Sequence, residues 1–337
     1  MTSLERILAA VRFEPTDRVP VIAQIFGHAA SVGGVPLDRY LTDANELARC
    51  QLAALERYRS DAVFALLDAN VETEALGSRL RFPSDMYPSV EHYVLERPSD
   101  VAGLRVPNPS KVGRMPVVLD AARMLRQKVG SDVLVVGCAL GPMTLACQLL
   151  GAERALFAAA DEPEAFERVL DFATDVAVCF GEAQLEAGAH VCFVFDPSAS
   201  PAVVPPAMFR ELLVPRLRRL CQAFKRKGSP AAWLHIAGPV EPILPLYPDC
   251  GVDIANLDYC VDPRCARASV PRLCLEGNIR PLAFVDAQPQ DIAADCARVL
   301  DVARSGGFIL SSGCEIPLEA RPECVQALVD SVQANGI

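Results

Sequence analysis

Side chains that could transfer protons, bind a metal ion or hold a substrate recur in the sequence at the ends of short apolar runs. Carboxylates suit proton transfer, histidine and cysteine suit metal binding, and amides suit substrate recognition. One such residue alone would mean little, but their convergence at run after run indicates a polar, metal-binding central pocket. The candidates are Gln24, His28, Asp68, Asn70, Glu72, Glu74, Cys138, Asp196, Ser198, His235, Asp258, Tyr259, Asn278, Cys314 and Glu315.

Each candidate also has a purely structural explanation. His235 could be a core histidine bonded to a backbone carbonyl, and Cys314 could be one more small buried side chain among thirteen cysteines. Asp196 could cap a helix or form a turn, and Glu72 and Glu74 could be solvated. Because the chain has only four histidines, finding two of them at run ends favours a functional role.

Eight apolar, β-rich runs alternate with amphipathic helical patterns along the chain. Eight such units over 337 residues predict an α/β fold, a single (β/α)8 barrel domain spanning residues 1–337. An open, doubly wound sheet is the alternative, weakened because no GxGxxG follows a strand. In a barrel the carboxyl ends of all strands meet at one face, which would bring the candidates together. The predicted strands are Val19–Ile25, Asp61–Asp68, Val133–Leu140, His190–Pro197, Ala231–Gly238, Asp253–Cys260, Leu273–Ile279 and Phe308–Cys314.

The segment Gly77–Arg114 interrupts this alternation after the second strand. It is rich in proline and longer than a usual strand-to-helix loop. It contains Tyr87, His92 and Tyr93, which could contact a substrate or a cofactor. We therefore expect this insertion to cover part of the barrel mouth.

Composition limits the class of protein. A net charge of −10 argues against broad binding to nucleic acid or anionic lipid. The cysteines form no CxxC pair and the first ten residues lack an apolar signal core, which together favour a reducing cytoplasm. The uncharged stretch Val133–Ala152 contains Gly-Pro, so it predicts a buried strand, a turn and a helix rather than a membrane span.

Several stretches, in their order and spacing, resemble the uroporphyrinogen decarboxylase superfamily. Within it, the chain looks like the branch of corrinoid-dependent methyltransferases, which move a methyl group between methylcobalamin and a thiol such as coenzyme M. The resemblance implies a (β/α)8 barrel. The matching stretches are Glu14–Val21, Asp68–Gly77, Pro88–Val90, Gly141–Leu145, Glu186–Ala189, Asp196–Ser200, Leu234–Gly238, Gly277–Asn278 and Leu310–Pro317.

Decarboxylation of uroporphyrinogen looks excluded. The decarboxylase has an arginine-rich segment after its first strand, and a substrate with eight carboxylates needs cationic partners. The corresponding stretch here, Val21–Ala30, contains no arginine.

The resemblance also implies a zinc site, which the sequence alters. The methyltransferase branch binds zinc through a His-x-Cys after strand five and a Cys after strand eight. His235 and Cys314 match, but Ala237 replaces the first cysteine. We expect Zn²⁺ at His235 and Cys314, completed by Glu74 or Glu72, with Cys138 as a further candidate. A site with one thiolate is harder, which shifts the expected substrate towards an oxygen- or nitrogen-bound methyl group and away from coenzyme M.

We therefore expect a methyltransferase that works between a corrinoid protein, carrying methylcobalamin, and a small methyl donor or acceptor. Because the barrel uses all eight units, the corrinoid would belong to a separate partner protein. A decarboxylase- or lyase-like enzyme on a small acid and a degenerate binding barrel are the alternatives. The chain would be a monomer or a homodimer. The expected catalytic residues are Asp68, Asp196 and Glu72, and the expected substrate-binding residues are Gln24, His28, Asn278 and Tyr259.

Overall fold

The computed structural model of the chain describes residues 1–334, which contain an eight-stranded parallel sheet. Every predicted run contributes one strand, so the sequence located all eight. Neighbouring strands pair in the order β1-β10-β9-β8-β7-β6-β5-β2. The barrel strands are β1 Val21–Ile22, β2 Ala62–Phe64, β5 Leu134–Leu140, β6 Val191–Phe195, β7 Trp233–His235, β8 Ile254–Asn256, β9 Cys274–Ile279 and β10 Phe308–Ser312.

The sheet closes between β1 and β2. The N–H of Asp61 donates to the carbonyl of Val21 at 2.9 Å, and the N–H of Ala23 donates to Ser60 Oγ at 3.0 Å. The predicted barrel is therefore confirmed, and the open sheet is wrong.

Helices surround the barrel. The longer ones bury one face against the sheet, and β5 is buried along its whole length, as expected for a parallel sheet covered on both sides. These helices are α1 Ser3–Val11, α2 Ala44–Tyr58, α3 Met115–Val129, α4 Pro142–Leu150, α5 Ala152–Asp161, α6 Pro163–Ala187, α7 Val214–Arg226, α8 Pro263–Ser269, α9 Pro289–Leu300 and α10 Pro322–Ala334. Shorter helical turns are His28–Gly33, Leu37–Tyr40, Val71–Ala75, Pro98–Gly103, Pro197–Ala199, Pro206–Met208, Phe209–Leu213, Leu244–Leu246, Tyr247–Cys250, Ala283–Asp286 and Val302–Ser305.

Helix α1 closes the amino-terminal end of the barrel. Ile7 of this helix packs into the apolar cluster inside the barrel. At the same end Asp61 accepts hydrogen bonds from Arg6 and Arg18, each with a shortest distance of 2.8 Å. This end is filled and ion-paired, which leaves the carboxyl ends of the strands as the accessible face.

The insertion forms a two-stranded antiparallel hairpin of β3 Arg79–Arg81 and β4 Ser89–His92. The uncharged stretch identified in the sequence divides into strand β5 and helix α4, as predicted. Within residues 1–334, the helices are too short or too polar to cross a lipid bilayer.

Candidate active site

A cavity of about 150 Å³ opens at the carboxyl ends of β2, β5 and β6. Its wall is mostly apolar and contains two carboxylates. Among the described residues that line it, none is lysine, arginine or histidine. The lining residues are Phe26, Leu66, Leu67, Asp68, Ala69, Asn70, Tyr87, Cys138, Phe195 and Glu315.

Asp68 provides one carboxylate of the cavity wall and is held by Arg114. The guanidinium donates from Nη1 and, at 3.2 Å, from Nη2 to Asp68, and from Nε at 2.7 Å to Glu74. Asp68 and Arg114 are both buried, with exposed fractions of 6% and 7%. We call Asp68, Glu74 and Arg114 the mouth cluster. Its two carboxylates share one cation, which leaves one negative charge.

The insertion reaches the cavity through Tyr87. Its hydroxyl donates to Glu315 Oε1, and the N–H of Gly27 donates to the Tyr87 hydroxyl at 2.7 Å and to Glu315 at 3.2 Å. A Cβ at Gly27 would lie 2.4 Å from that hydroxyl, so this approach requires glycine. The predicted cover over the barrel mouth is confirmed for Tyr87. His92 and Tyr93 are exposed on the hairpin instead, near Arg79 and Arg154 respectively.

Glu315 and Glu72 are two carboxyl groups near the cavity whose protonation should change near neutral pH. Burial raises the pKa of each to about 7. Glu72 lies in the buried turn Val71–Ala75 and accepts a hydrogen bond from the N–H of Leu140 at 2.8 Å. It is outside the cavity lining, so its predicted catalytic role stays a prediction.

Asp196 caps a helix. It accepts hydrogen bonds from the N–H groups of Thr144 at 2.7 Å and Met143 at 3.4 Å in the first turn of α4. A Cβ at Gly141 would lie 2.2 Å from Asp196, so this contact needs glycine there. Burial raises the pKa of Asp196 to about 6. The structure therefore gives Asp196 a positioning role and keeps it out of the cavity lining.

Three of the predicted substrate-binding residues also lie outside the cavity. His28 is buried, with Nδ1 3.2 Å from the carbonyl of Leu318 and Nε2 3.0 Å from the Tyr58 hydroxyl. Asn278 donates to backbone carbonyls, including that of Val261 at 2.7 Å. Tyr259 is exposed and, with Asn278, lines a separate polar groove of about 410 Å³ beside α8 and α9.

Gln24, the fourth predicted substrate-binding residue, belongs to a buried network inside the barrel. Its Nε2 donates to Glu276 at 3.0 Å, and Asn256 Nδ2 donates to the other Glu276 oxygen at 2.6 Å. Ser311 adds a third hydrogen bond, and burial raises the pKa of Glu276 to about 7. We call Gln24, Asn256, Glu276 and Ser311 the interior network. The outer amide oxygens of Gln24 and Asn256 have no partner within the described part of the chain.

His235 ends β7 in an apolar setting. Its ring lies 6.0 Å from that of Phe193 and 5.0 Å from that of Phe195, centroid to centroid. Burial lowers its pKa to about 3, which keeps the imidazole neutral. Neither ring nitrogen has a hydrogen-bond partner among residues 1–334. A neutral imidazole with free nitrogens suits a metal ion.

The rest of the predicted zinc site does not fit. Residues 1–334 hold no group of three or more histidine, cysteine, aspartate or glutamate side chains placed to bind a metal. Glu74 is bonded to Arg114 and Glu72 to a backbone N–H. Catalytic zinc normally has three protein ligands, so the zinc site that the resemblance implies is incomplete here.

Sequence reasoning missed two residues of this region. The sequence indicates no role for Arg114 beyond the end of the insertion, yet this residue neutralises part of the mouth cluster. Glu276 was passed over inside a predicted strand. A single charged residue within an otherwise apolar strand was the available signal, because such a group needs buried partners.

Comparisons with known proteins agree with this architecture. A family model for uroporphyrinogen decarboxylase (URO-D) matches residues 2–335. Methylcobamide:CoM methyltransferase MtaA of Methanosarcina barkeri is 31% identical over 334 residues, which cover 96% of this chain and 95% of that protein. Uroporphyrinogen decarboxylase of Syntrophotalea carbinolica is 30% identical, covering 85% and 82% respectively. The solved structure of a methyltransferase from Methanosarcina mazei matches with a TM-score of 0.91 at 30% identity, over 99% of both chains.

Proposed function

Because this chain belongs to the uroporphyrinogen decarboxylase family, we propose that it is a methyltransferase acting between a corrinoid protein and a small molecule. Relatives named for methyl transfer and relatives named for decarboxylation are equally similar, near 30% identity. Identity alone therefore does not choose between the two activities. The choice rests on the cavity.

The cavity is the observation that favours methyl transfer, because its size and charge suit a small molecule and do not suit a porphyrinogen. Its volume of about 150 Å³ is below the roughly 300–1,000 Å³ of pockets for drug-sized ligands. None of the described lining residues is cationic, whereas two are carboxylates. A substrate with many carboxylates would meet like charge without a compensating partner. The same argument disfavours a decarboxylase- or lyase-like activity on a small acid.

The surface around the mouth supports a macromolecular partner. Exposed apolar side chains occur on the insertion and on loops that follow β6, β8 and β9, all at the carboxyl ends of the strands. Large exposed apolar side chains that form one patch typically mark a binding surface, and we propose that these do so. We propose that a corrinoid protein, which supplies a cobalt centre able to accept or give a methyl group, docks here. These side chains are Phe82, Met86, Val203, Tyr259 and Leu282.

The chain's own residues would bind and orient the small molecule. Tyr87 and Glu315 hold the insertion against the barrel and narrow the entrance. Asp68 and Glu315 set the charge of the wall, and Arg114 fixes the position of Asp68. Phe26 and Phe195 supply apolar walls that exclude water. No step is assigned to zinc, because the donor set does not fit that ion.

Two assays on the purified chain test the proposal. Methylcobalamin is mixed with small thiols and amines, and the visible spectrum is followed. In parallel, uroporphyrinogen is supplied, and coproporphyrinogen is measured. We expect enzyme-dependent loss of the methylcobalamin spectrum, as the methyl group passes to an acceptor and cob(I)alamin remains, and no decarboxylation. Turnover of uroporphyrinogen at ordinary enzyme rates, without any change in the corrinoid spectrum, would overturn the proposal.

A further inference from the structure

The charge of the cavity restricts the ligand it can hold. Asp68 shares Arg114 with Glu74, so the mouth cluster keeps one negative charge. Among the described residues, Glu315 receives hydrogen bonds from the neutral groups Tyr87 and Gly27 alone. Burial raises the pKa of Glu315 to about 7, so this carboxyl can ionise beside a bound cation and stays protonated beside a bound anion. An anionic ligand would find no free cation among the described lining residues, which is unfavourable. A neutral ligand avoids this penalty, and for a cationic ligand the carboxylates and the aromatic ring faces offset the cost of desolvation.

Aromatic rings are concentrated in the same wall. Aromatic residues make up 6% of the chain, yet Phe26, Tyr87 and Phe195 are three of the ten lining residues. Phe26 is held by Phe64, with ring centroids 5.0 Å apart. Phe195 packs on Phe193 at 6.0 Å. Rings fixed around a cavity with carboxylates on its rim are the arrangement that recognises methylated ammonium groups.

The volume matches such a group. A cavity of about 150 Å³ holds a molecule the size of benzene. A trimethylammonium group with a short substituent has a similar size. A tetrapyrrole, or a long chain folded into the cavity, would not fit.

We propose that the cavity binds a small N-methylated ammonium compound, with its methyl groups against Phe26, Tyr87 and Phe195 and its charge facing Asp68 and Glu315. This assignment rests on the proposed function only for the fate of the methyl group. In that transfer the C–N bond breaks with its electron pair on nitrogen, and the amine leaves neutral. The new bond to the methyl carbon takes its electron pair from the reduced corrinoid of the partner, so no proton has to be supplied.

Calorimetric titration of the purified chain with three probes of similar size tests the ligand class. Choline is the cation, 3,3-dimethyl-1-butanol is its neutral isostere, and 2-mercaptoethanesulfonate is the anion. We expect choline to bind at least about tenfold more tightly than the isostere, and the anion to bind most weakly. Equal binding of choline and its isostere, or tightest binding of the anion, would overturn the proposal.

Matched variants test whether the preference for choline over its isostere arises in this cavity. Glu315→Gln keeps the acceptor for Tyr87 but removes the charge, so the preference for choline over the isostere should fall below about threefold. Phe195→Leu should weaken choline and retain the weak binding of the isostere. Glu319→Gln, an exposed residue on the same loop, should leave the preference unchanged. A preference that survives Glu315→Gln and Phe195→Leu would place the ligand elsewhere and refute the assignment.

The proposed function and this assignment can fail separately, because binding requires no corrinoid. Selective choline binding without any corrinoid methylation would retain the ligand class and refute methyl transfer. Corrinoid methylation from another donor, with no choline binding, would retain methyl transfer and refute the ligand class.

Discussion

The two halves of the barrel interior differ in the buried polar groups that they contain. Strands β2, β5 and β6 direct Phe64, Val136, Phe193 and other apolar side chains inward, and the cavity opens above them. Strands β7 to β10 and β1 also direct apolar side chains inward, such as Trp233 and Ile309. They add buried polar groups, which are His235 at the end of β7 and the interior network around Glu276.

The charged groups that could bind a ligand and the carboxyl that is sealed in the core therefore lie in different halves of the barrel. On the apolar side the charged groups lie at the rim, and Asp68 is already paired. On the polar side a carboxyl is sealed in the core with amide and hydroxyl partners and no cation. We therefore expect charge removal to act most strongly at the mouth. Burial raises the pKa values of Glu276, Glu72 and Glu315 alike to about 7, so the interior network should supply one of several contributions to the pH dependence of stability.

Removing the cation of the mouth cluster should have the largest effect. In Arg114→Met, Asp68 remains buried without its cation and keeps only the hydrogen bond from the N–H of Asn70 among its described partners, which costs about 3–5 kcal/mol of unfolding free energy. Urea denaturation measures this. Arg123→Met, which breaks an exposed pair with Asp120, is the control and should cost less than about 1 kcal/mol. Equal losses in the two variants would show that the mouth cluster contributes no more than a surface pair.

The interior network should make stability depend on pH. The pKa of Glu276 rises from 4.5 to about 7 on folding, so the native state binds the proton more tightly than the unfolded state. Its contribution is therefore fully present below pH 4.5 and is lost as pH rises to 7. The difference corresponds to about 3 kcal/mol.

Glu276→Gln should remove that contribution. Because the outer amide oxygens of Gln24 and Asn256 are unpartnered, either amide can turn to accept from the new side chain. Between pH 5 and 8 the unfolding free energy of the wild type should fall more steeply than that of the variant. Exposed Glu153→Gln should reproduce the wild-type slope. Parallel pH profiles for wild type and Glu276→Gln would refute this account of the interior.

A smaller loss is expected at the contact between insertion and barrel. In Gly27→Ala the new methyl group would overlap the Tyr87 hydroxyl and Leu318, at 2.4 and 2.5 Å. Overpacking of this kind costs about 1–3 kcal/mol and should displace Tyr87 from Glu315. Thermal denaturation and choline affinity measure the two consequences. Gly103→Ala, in open space on the same insertion, should change neither. Unaltered choline affinity in Gly27→Ala would contradict the role given to Tyr87.

The smallest effect should follow substitution of His235. Since its ring nitrogens make no hydrogen bond within residues 1–334, His235→Phe should change the unfolding free energy by less than about 1 kcal/mol. We also expect the purified wild type to retain far less than one zinc per chain, measured by elemental analysis. One zinc per chain, lost in His235→Ala and in Cys314→Ala, would instead establish the site expected from the sequence.

The sequence predicted the barrel because its strands are buried on both sides and read as apolar runs. It did not predict the hairpin β3–β4, whose residues are mostly exposed and carry no such pattern. Asp68 is predicted because it is the last residue of the predicted strand Asp61–Asp68. Arg114 was not found, since its partner Asp68 is 46 residues away in the chain.

The role of Asp196 shows a second limit of prediction from the sequence. Its position after β6 suggested catalysis, but its neighbour in space is the first turn of α4, which follows β5. Only the pairing of β5 with β6, and the glycine at position 141, bring the two together. A residue type at a strand end therefore predicts the location of a site better than it predicts the role of the residue.

The most direct test of methyl transfer uses cob(I)alamin, the chain and choline under anaerobic conditions. The visible spectrum reports the conversion of cob(I)alamin to methylcobalamin, and N,N-dimethylaminoethanol, the amine left when choline loses one methyl group, is quantified by NMR. The account predicts conversion that depends on the chain and falls at least about tenfold in Glu315→Gln, with one demethylated amine formed per methylcobalamin. A rate equal to that of cob(I)alamin and choline without the chain would contradict it.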